Sequence, residues 1–121
     1  MTVDILENPK IQLYLFHLIL VPTIIYFILF KPNKLIYRLT ILLGILIILY
    51  HFYKLWNNYK IGFVSYVNLL HILVIGPLIL MIGIMEKNIP LVIKDFTLIL
   101  MIGSIVIFSK KIIQTYSYLK N

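Results

Sequence analysis

Three histidines are the residues of this chain whose side chains could do chemistry. His17, His51 and His71 each lie inside a long apolar stretch. Ionisable side chains in apolar segments of membrane length are costly, so each one is a functional hypothesis by default. Neutral imidazoles could ligate the iron of haem b or another metal ion, or could pass protons. Asn68 lies three residues before His71 on the same helix face, where it is predicted to orient that ring.

A structural interpretation of the same histidines stays open. A histidine near the membrane surface can reach the lipid headgroups or bond to a neighbouring helix. His51 also belongs to an aromatic cluster of the kind found at membrane–water interfaces. The residues predicted to lie at an interface are Tyr50, Tyr53, Lys54, Trp56 and Lys110.

Four apolar stretches must position these histidines: residues 11–30, 36–55, 65–83 and 91–108. A helix rises ~1.5 Å per residue, so about 20 apolar residues cross a hydrocarbon layer of ~30 Å. The chain is 62% hydrophobic and 12% charged, which lies outside the range of soluble domains. The sequence therefore predicts an all-α, integral membrane four-helix bundle that forms one transmembrane domain over residues 1–121.

The first and third stretches share a pattern. The segments LYLFHLILVP and VNLLHILVIGP align His17 with His71 and Pro22 with Pro77, with one residue inserted. We interpret residues 11–60 and 65–118 as two tandem two-helix repeats, which share one orientation and are related by an axis along the membrane normal. All three histidines would then lie in one half of the bilayer. The two prolines are predicted to kink their helices, because proline breaks the helical hydrogen-bond ladder.

Small residues within the spans predict where helices approach closely. In lipid, helix association depends on packing rather than on the hydrophobic effect, and small side chains allow backbones to come together. Such positions mark contacts within the bundle or between copies of the chain. The predicted packing residues are Thr40, Gly44, Gly76, Gly83 and Gly103.

The formal net charge of +7 does not indicate a nucleic-acid-binding protein. The basic residues are spread over every connection instead of forming one patch, and contact with lipid headgroups explains them. Six lie on one predicted side of the membrane and five on the other. By the positive-inside rule, this slight excess favours both termini inside. The expected partners are the lipid bilayer and either other membrane-protein subunits or further copies of the chain.

Two segments resemble small multi-pass membrane proteins of nucleocytoplasmic large DNA viruses. They are LHILVIGPL, within residues 68–80, and LLGILIILYHFYKL, residues 42–55. The resemblance implies a virus-encoded integral membrane protein of the virion inner membrane or of a host membrane. The resemblance implies no particular activity for this chain.

No catalytic signature accompanies these segments. The sequence contains no Walker loop, HExxH or GxSxG motif, no cysteine, and no carboxylate deep in a span. We expect a non-enzymatic membrane protein without a cofactor, serving a structural or assembly role. The alternative is a histidine-lined protein that binds haem or a metal ion, or conducts protons or other ions. A further alternative is an accessory subunit of an organelle membrane complex.

Overall fold

The computed structural model describes residues 5–121, which form four long helices joined by short connections. Helix α1 spans Pro9–Phe30, α2 Lys34–Lys60, α3 Tyr66–Asn88 and α4 Leu91–Lys120. A short 3-10 turn, Ile5–Glu7, precedes α1, and residues 5–121 contain no strand. All four helices are long and apolar enough to cross a membrane. The predicted all-α four-helix architecture is confirmed.

Polar residues at the connections define where the helices begin. The side chains of Asn8 and Asn33 each accept a hydrogen bond from a backbone N–H in the first turn of α1 and α2. Ser65 does the same for α3. Such caps satisfy amide groups that have no partner within the helix. Past the end of α2, Gly62 adopts a φ of 79°, a left-handed conformation that favours glycine.

The helices extend beyond the apolar stretches that predict them. Helix α2 continues to Lys60, and α4 continues to Lys120, twelve residues past the predicted end of its span. Neither extension contains a glycine or a proline, so nothing in the backbone ends the helix where the hydrocarbon ends. The hydropathy of the sequence therefore predicts which part of each helix lies in the membrane. Glycine and proline residues, by contrast, determine how far the helix continues.

Helices α1 and α3 each contain one wide π-helical turn immediately before the proline region. These turns cover Phe16–Leu20 and His71–Ile75. The N–H of Val21 bonds to the carbonyl of Phe16, and the N–H of Gly76 to that of His71. Both donors directly precede a proline, whose ring would otherwise crowd the carbonyl four residues earlier. The distortion thus begins before Pro22 and Pro77 rather than at them.

The most extensive helix packing is between α2 and α3, while α1 packs mainly against α4. Side chains of α1 and α3 join the two pairs through a buried core of Ile25, Ile28, Leu29, Leu78 and Ile82. Helices α1 and α2, although joined by a short turn, make much less contact. The main contacts therefore cross the boundary between the two proposed repeats, and the repeat itself stays a prediction.

Candidate functional site

The bundle brings the three histidines into one layer. The rings of His51 and His71 stack with their centroids 4.0 Å apart and their planes 19° from parallel. The ring of His17 meets His71 edge to face at 6.5 Å. All three side chains are partly buried. We call His17, His51 and His71 the histidine layer.

Each ring of the histidine layer is oriented through its Nδ1 atom. Nδ1 of His17 lies 2.8 Å from the carbonyl oxygen of Leu13, and Nδ1 of His71 lies 2.7 Å from that of Val67. A carbonyl oxygen only accepts hydrogen bonds, so Nδ1 donates in both cases. In the neutral imidazole, Nε2 then keeps its lone pair for another partner.

Asn68 orients the ring of His51, the third ring of the histidine layer. Its Oδ1 accepts a hydrogen bond of 2.8 Å from Nδ1 of His51. The sequence spacing predicts that Asn68 orients His71, but the ring that its side chain contacts belongs to α2 instead. Asn68 is 5% exposed and is the one buried amide side chain among residues 6–121. The layer is therefore built from an interhelical polar contact as well as from contacts within each helix.

Three glycines allow α2 and α3 to approach each other closely beside the histidine layer. A Cβ atom added to Gly44 would lie 2.9 Å from the backbone nitrogen of Leu80, and one added to Gly83 would lie 2.9 Å from that of Ile41. Gly76 packs against the side chain of Ile48. We call these three contacts the glycine seam. The seam runs along α2 and α3 toward His51 and His71, so it keeps the two helices close enough for the rings to stack.

Phe108 and Lys111 of α4, which the sequence does not single out as layer contacts, extend the layer from His17 together with Tyr14 of α1. The ring of Phe108 stacks on the ring of His17 at 4.5 Å, and Tyr14 lies 5.8 Å from Phe108. Nζ of Lys111 lies 5.3 Å from the centroid of Phe108 and 5.6 Å from that of Tyr14. The layer thus reaches α4 through aromatic and cation–π contacts.

The ring planes determine what the histidine layer can bind. Imidazole lone pairs lie in the plane of the ring, so two nearly parallel rings stacked at 4.0 Å do not direct them at one point. Within the described part of the chain, no group of three or more His, Cys, Asp or Glu side chains is arranged to hold a metal ion. In the observed arrangement the rings of His51 and His71 stack on each other and are not placed as a chelating pair.

The remaining predicted residues are distributed around the bundle. Thr40 is 2% exposed beside the glycine seam, and its hydroxyl donates to the carbonyl of Ile36 in its own helix. Gly103 faces open space, with nothing within 4 Å of an added Cβ. Nζ of Lys54 lies 5.3 Å from the ring of Tyr50. The residues predicted to be interfacial are all exposed: Tyr50, Tyr53, Lys54, Trp56 and Lys110.

Fold and hydropathy together define the class of this protein as an integral membrane protein with four candidate membrane-spanning helices. Comparisons with protein-family models, curated proteins and solved structures find no match. Arguments about its role therefore come from the geometry of the bundle itself.

Proposed function

We propose that this chain is a non-enzymatic, multi-pass membrane protein with a structural role in an assembly within the bilayer. The proposal rests on one observation, the unequal burial of the four helices of the protein. In the apolar windows, 33% of the residues are buried in α3 and 17% in α2, against 11% in α1 and 6% in α4. The glycine seam holds α2 and α3 in close contact. Most of the length of α4 is exposed and is therefore available to pack against a neighbouring chain.

Gly103 supports this division of roles. It lies on α4 with open space beside it, where a close helix approach from another chain would cost no steric clash. The partner in this proposal is another membrane-protein subunit or a second copy. By the viral resemblance, the assembly belongs to the virion inner membrane or a host membrane. The slight excess of basic residues on one side places both termini inside in this proposal.

The proposal is tested by replacing Gly103 with Leu and measuring association in membranes by chemical cross-linking. We expect association to fall by about tenfold, corresponding to ~1.4 kcal/mol, because the larger side chain blocks close approach. The thermal stability in detergent should be unchanged or slightly higher, since an added Cβ at Gly103 meets nothing within 4 Å and leucine has the higher helix propensity. Ile102→Leu, at the neighbouring exposed position, is the matched control. Unchanged cross-linking of Gly103→Leu would contradict the proposed role of α4.

The histidine layer favours a second candidate function, that of a proton-conducting membrane protein. What supports it is the hydrogen bonding that the three rings share: each Nδ1 lies at hydrogen-bond distance from an oxygen, so in the neutral imidazole each Nε2 keeps its lone pair to accept a proton. Binding of haem or a metal ion by the histidines of the layer, His17, His51 and His71, belongs to the same alternative. Its signature is proton flux in liposomes, or stoichiometric haem or metal, that disappears in His71→Ala.

A further inference from the structure

Helix α3 is packed unequally along its length. Its second half, Gly76–Met85, has five buried residues, and two of them, Gly76 and Gly83, belong to the glycine seam. Its first half, residues 66–75, has one buried residue, Asn68. Segments with few buried contacts open at a lower free energy than the rest of a fold. The first half of α3 is therefore the part that separates from α2 at the lower cost.

The two halves of α3 meet where the helix is already distorted. The wide turn His71–Ile75 leads directly into Gly76 and Pro77. Helices bend at π-helical turns and at prolines, because the regular ladder of hydrogen bonds is interrupted there. A change of angle at this turn would carry the first half of α3 away from α2. The contact between Gly83 and Ile41, in the second half, would stay in place.

A hydrogen bond and a ring stack join the first half of α3 to α2. Nδ1 of His51 donates to Oδ1 of Asn68, and the rings of His51 and His71 stack at 4.0 Å. The hydrogen bond is compatible with a charged ring, since Nδ1 donates a proton in either state. The stack is compatible with at most one charged ring, because two imidazolium ions at this distance repel each other. Histidine changes charge between about pH 5 and about pH 8, so acid weakens the stack.

The other helices bring groups to the stack that are cationic or become cationic in acid. His17 of α1 lies edge to face against it. Lys111 of α4 lies over the ring of Phe108, which in turn stacks on His17. On α2 itself, Lys54 lies over the ring of Tyr50, which neighbours the stack. The tyrosines of this region stay neutral in the same pH range: Tyr14 and Tyr50.

The carboxylates in the described part of the chain lie elsewhere. Glu7 precedes α1, ten residues before His17. Glu86 and Asp95 lie near the connection between α3 and α4, at the other end of the bundle. Protons added to the stack therefore add positive charge to a region that already holds lysines. Charging both rings is opposed inside the closed bundle and is favoured where the rings reach water or lipid headgroups.

We propose that the stacked pair of His51 and His71 is an acid-sensitive latch. With at least one ring neutral, the stack holds the first half of α3 against α2. When both rings are protonated, α3 bends at His71–Ile75 and its first half separates, so that the charged rings reach water or headgroups. The open state binds more protons than the closed state, and its population therefore rises as the pH falls. The latch requires neither proton conduction nor a contact between α4 and a neighbouring chain.

The single tryptophan reports the opening in the natural chain, reconstituted in lipid nanodiscs. Trp56 lies five residues after His51 and lines a groove together with Val64 and with Leu69 of α3. Separation of α3 removes these neighbours, so quenching of Trp56 fluorescence by acrylamide should increase from about pH 8 to about pH 5. For each additional proton that the open state binds, the ratio of open to closed molecules rises by up to about tenfold per pH unit. Quenching that does not change with pH would overturn the proposal.

Two histidine variants locate the response. His71→Phe keeps a ring on His51 but cannot be charged, so it should abolish the pH response and leave Trp56 as it is in the closed state. His17→Phe is the matched control, because it makes the same change at a ring that lies 6.5 Å from His71 and outside the stack. It should keep the response. A response that persists in His71→Phe, or that both variants lose equally, would overturn the proposal.

Nitroxide pairs, with distances measured by pulsed electron paramagnetic resonance, distinguish opening from unfolding and need no histidine variant. The pair Lys54→Cys and Tyr66→Cys spans α2 and the first half of α3, and its distance should lengthen in acid. The pair Leu39→Cys and Ile84→Cys spans the glycine seam and should not change. All four positions are exposed. Lengthening of both pairs would show unfolding, and lengthening of neither would show that no latch opens, so either result would overturn the proposal.

Discussion

Adding one methyl group at Gly44 or Gly83 is expected to destabilise the bundle by about 2 kcal/mol or more. The new Cβ would lie 2.7 Å from a side-chain carbon across the interface and 2.9 Å from a backbone nitrogen of the facing helix. The side chains of Leu80 and Ile41 can rotate away, but the backbone of a membrane helix cannot move without separating the pair. Helices α2 and α3 would therefore have to part along the whole glycine seam.

Gly103→Ala is the matched control for this prediction. It makes the same chemical change in a helix of the same bundle, at a site where the methyl group meets nothing within 4 Å. It should be neutral, or stabilising by up to about 1 kcal/mol, because alanine has the higher helix propensity. Reversible unfolding of Gly44→Ala, Gly83→Ala and Gly103→Ala in mixed detergent micelles measures the difference. Similar stability of all three variants would show that the glycine seam does not hold the bundle together.

The second large effect is expected from Asn68→Leu. The substitution keeps the side chain similar in size but removes the oxygen that accepts from Nδ1 of His51. A partly buried N–H without an acceptor costs about 1–3 kcal/mol. We therefore expect Asn68→Leu to lower the unfolding free energy by about 2 kcal/mol.

A double-mutant cycle identifies the partner of Asn68. In the His51→Leu background, the penalty of Asn68→Leu should shrink by about 0.6 kcal/mol and by no more than about 1.7 kcal/mol, the average and the maximum for interhelical hydrogen bonds in membranes. The control is the cycle that combines Asn68→Leu with His71→Leu, because Nδ1 of His71 already donates to the carbonyl oxygen of Val67. A larger coupling of Asn68 to His71 than to His51 would contradict the observed arrangement. The same variants, assayed for proton flux in liposomes, separate a purely structural histidine layer from a conducting one.

The number and placement of the helices could be predicted because they follow from local properties of the chain. Apolar runs of membrane length predict the four helices, and asparagine or serine before three of the runs marks the helix start. The helix ends beyond the membrane could not be read from hydropathy. Residues 109–120 of α4 are rich in lysine and tyrosine, yet their backbone continues the helix without interruption.

The pairing of helices could not be predicted, because every span is apolar on all sides. The proposed repeat also aligns Gly44 of the second span with Gly103 of the fourth. An added Cβ at Gly44 nevertheless meets a facing backbone, whereas one at Gly103 meets open space. Likewise, spacing along α3 relates Asn68 to His71, whereas the bound ring, His51, comes from the facing helix. Such differences depend on which helices meet, and that is a property of the assembled bundle.

The central claim is that the chain crosses the bilayer four times, and labelling of single cysteines tests it most directly. The natural chain contains no cysteine, so each introduced thiol reports on one position alone. With a membrane-impermeant maleimide, Asn33→Cys and Lys87→Cys should react from one side of sealed vesicles. Lys10→Cys, Gly62→Cys and Lys120→Cys should react only from the other side. If one cysteine of the first pair and one of the second group both reacted from the same side of intact vesicles, that result would contradict a four-crossing bundle.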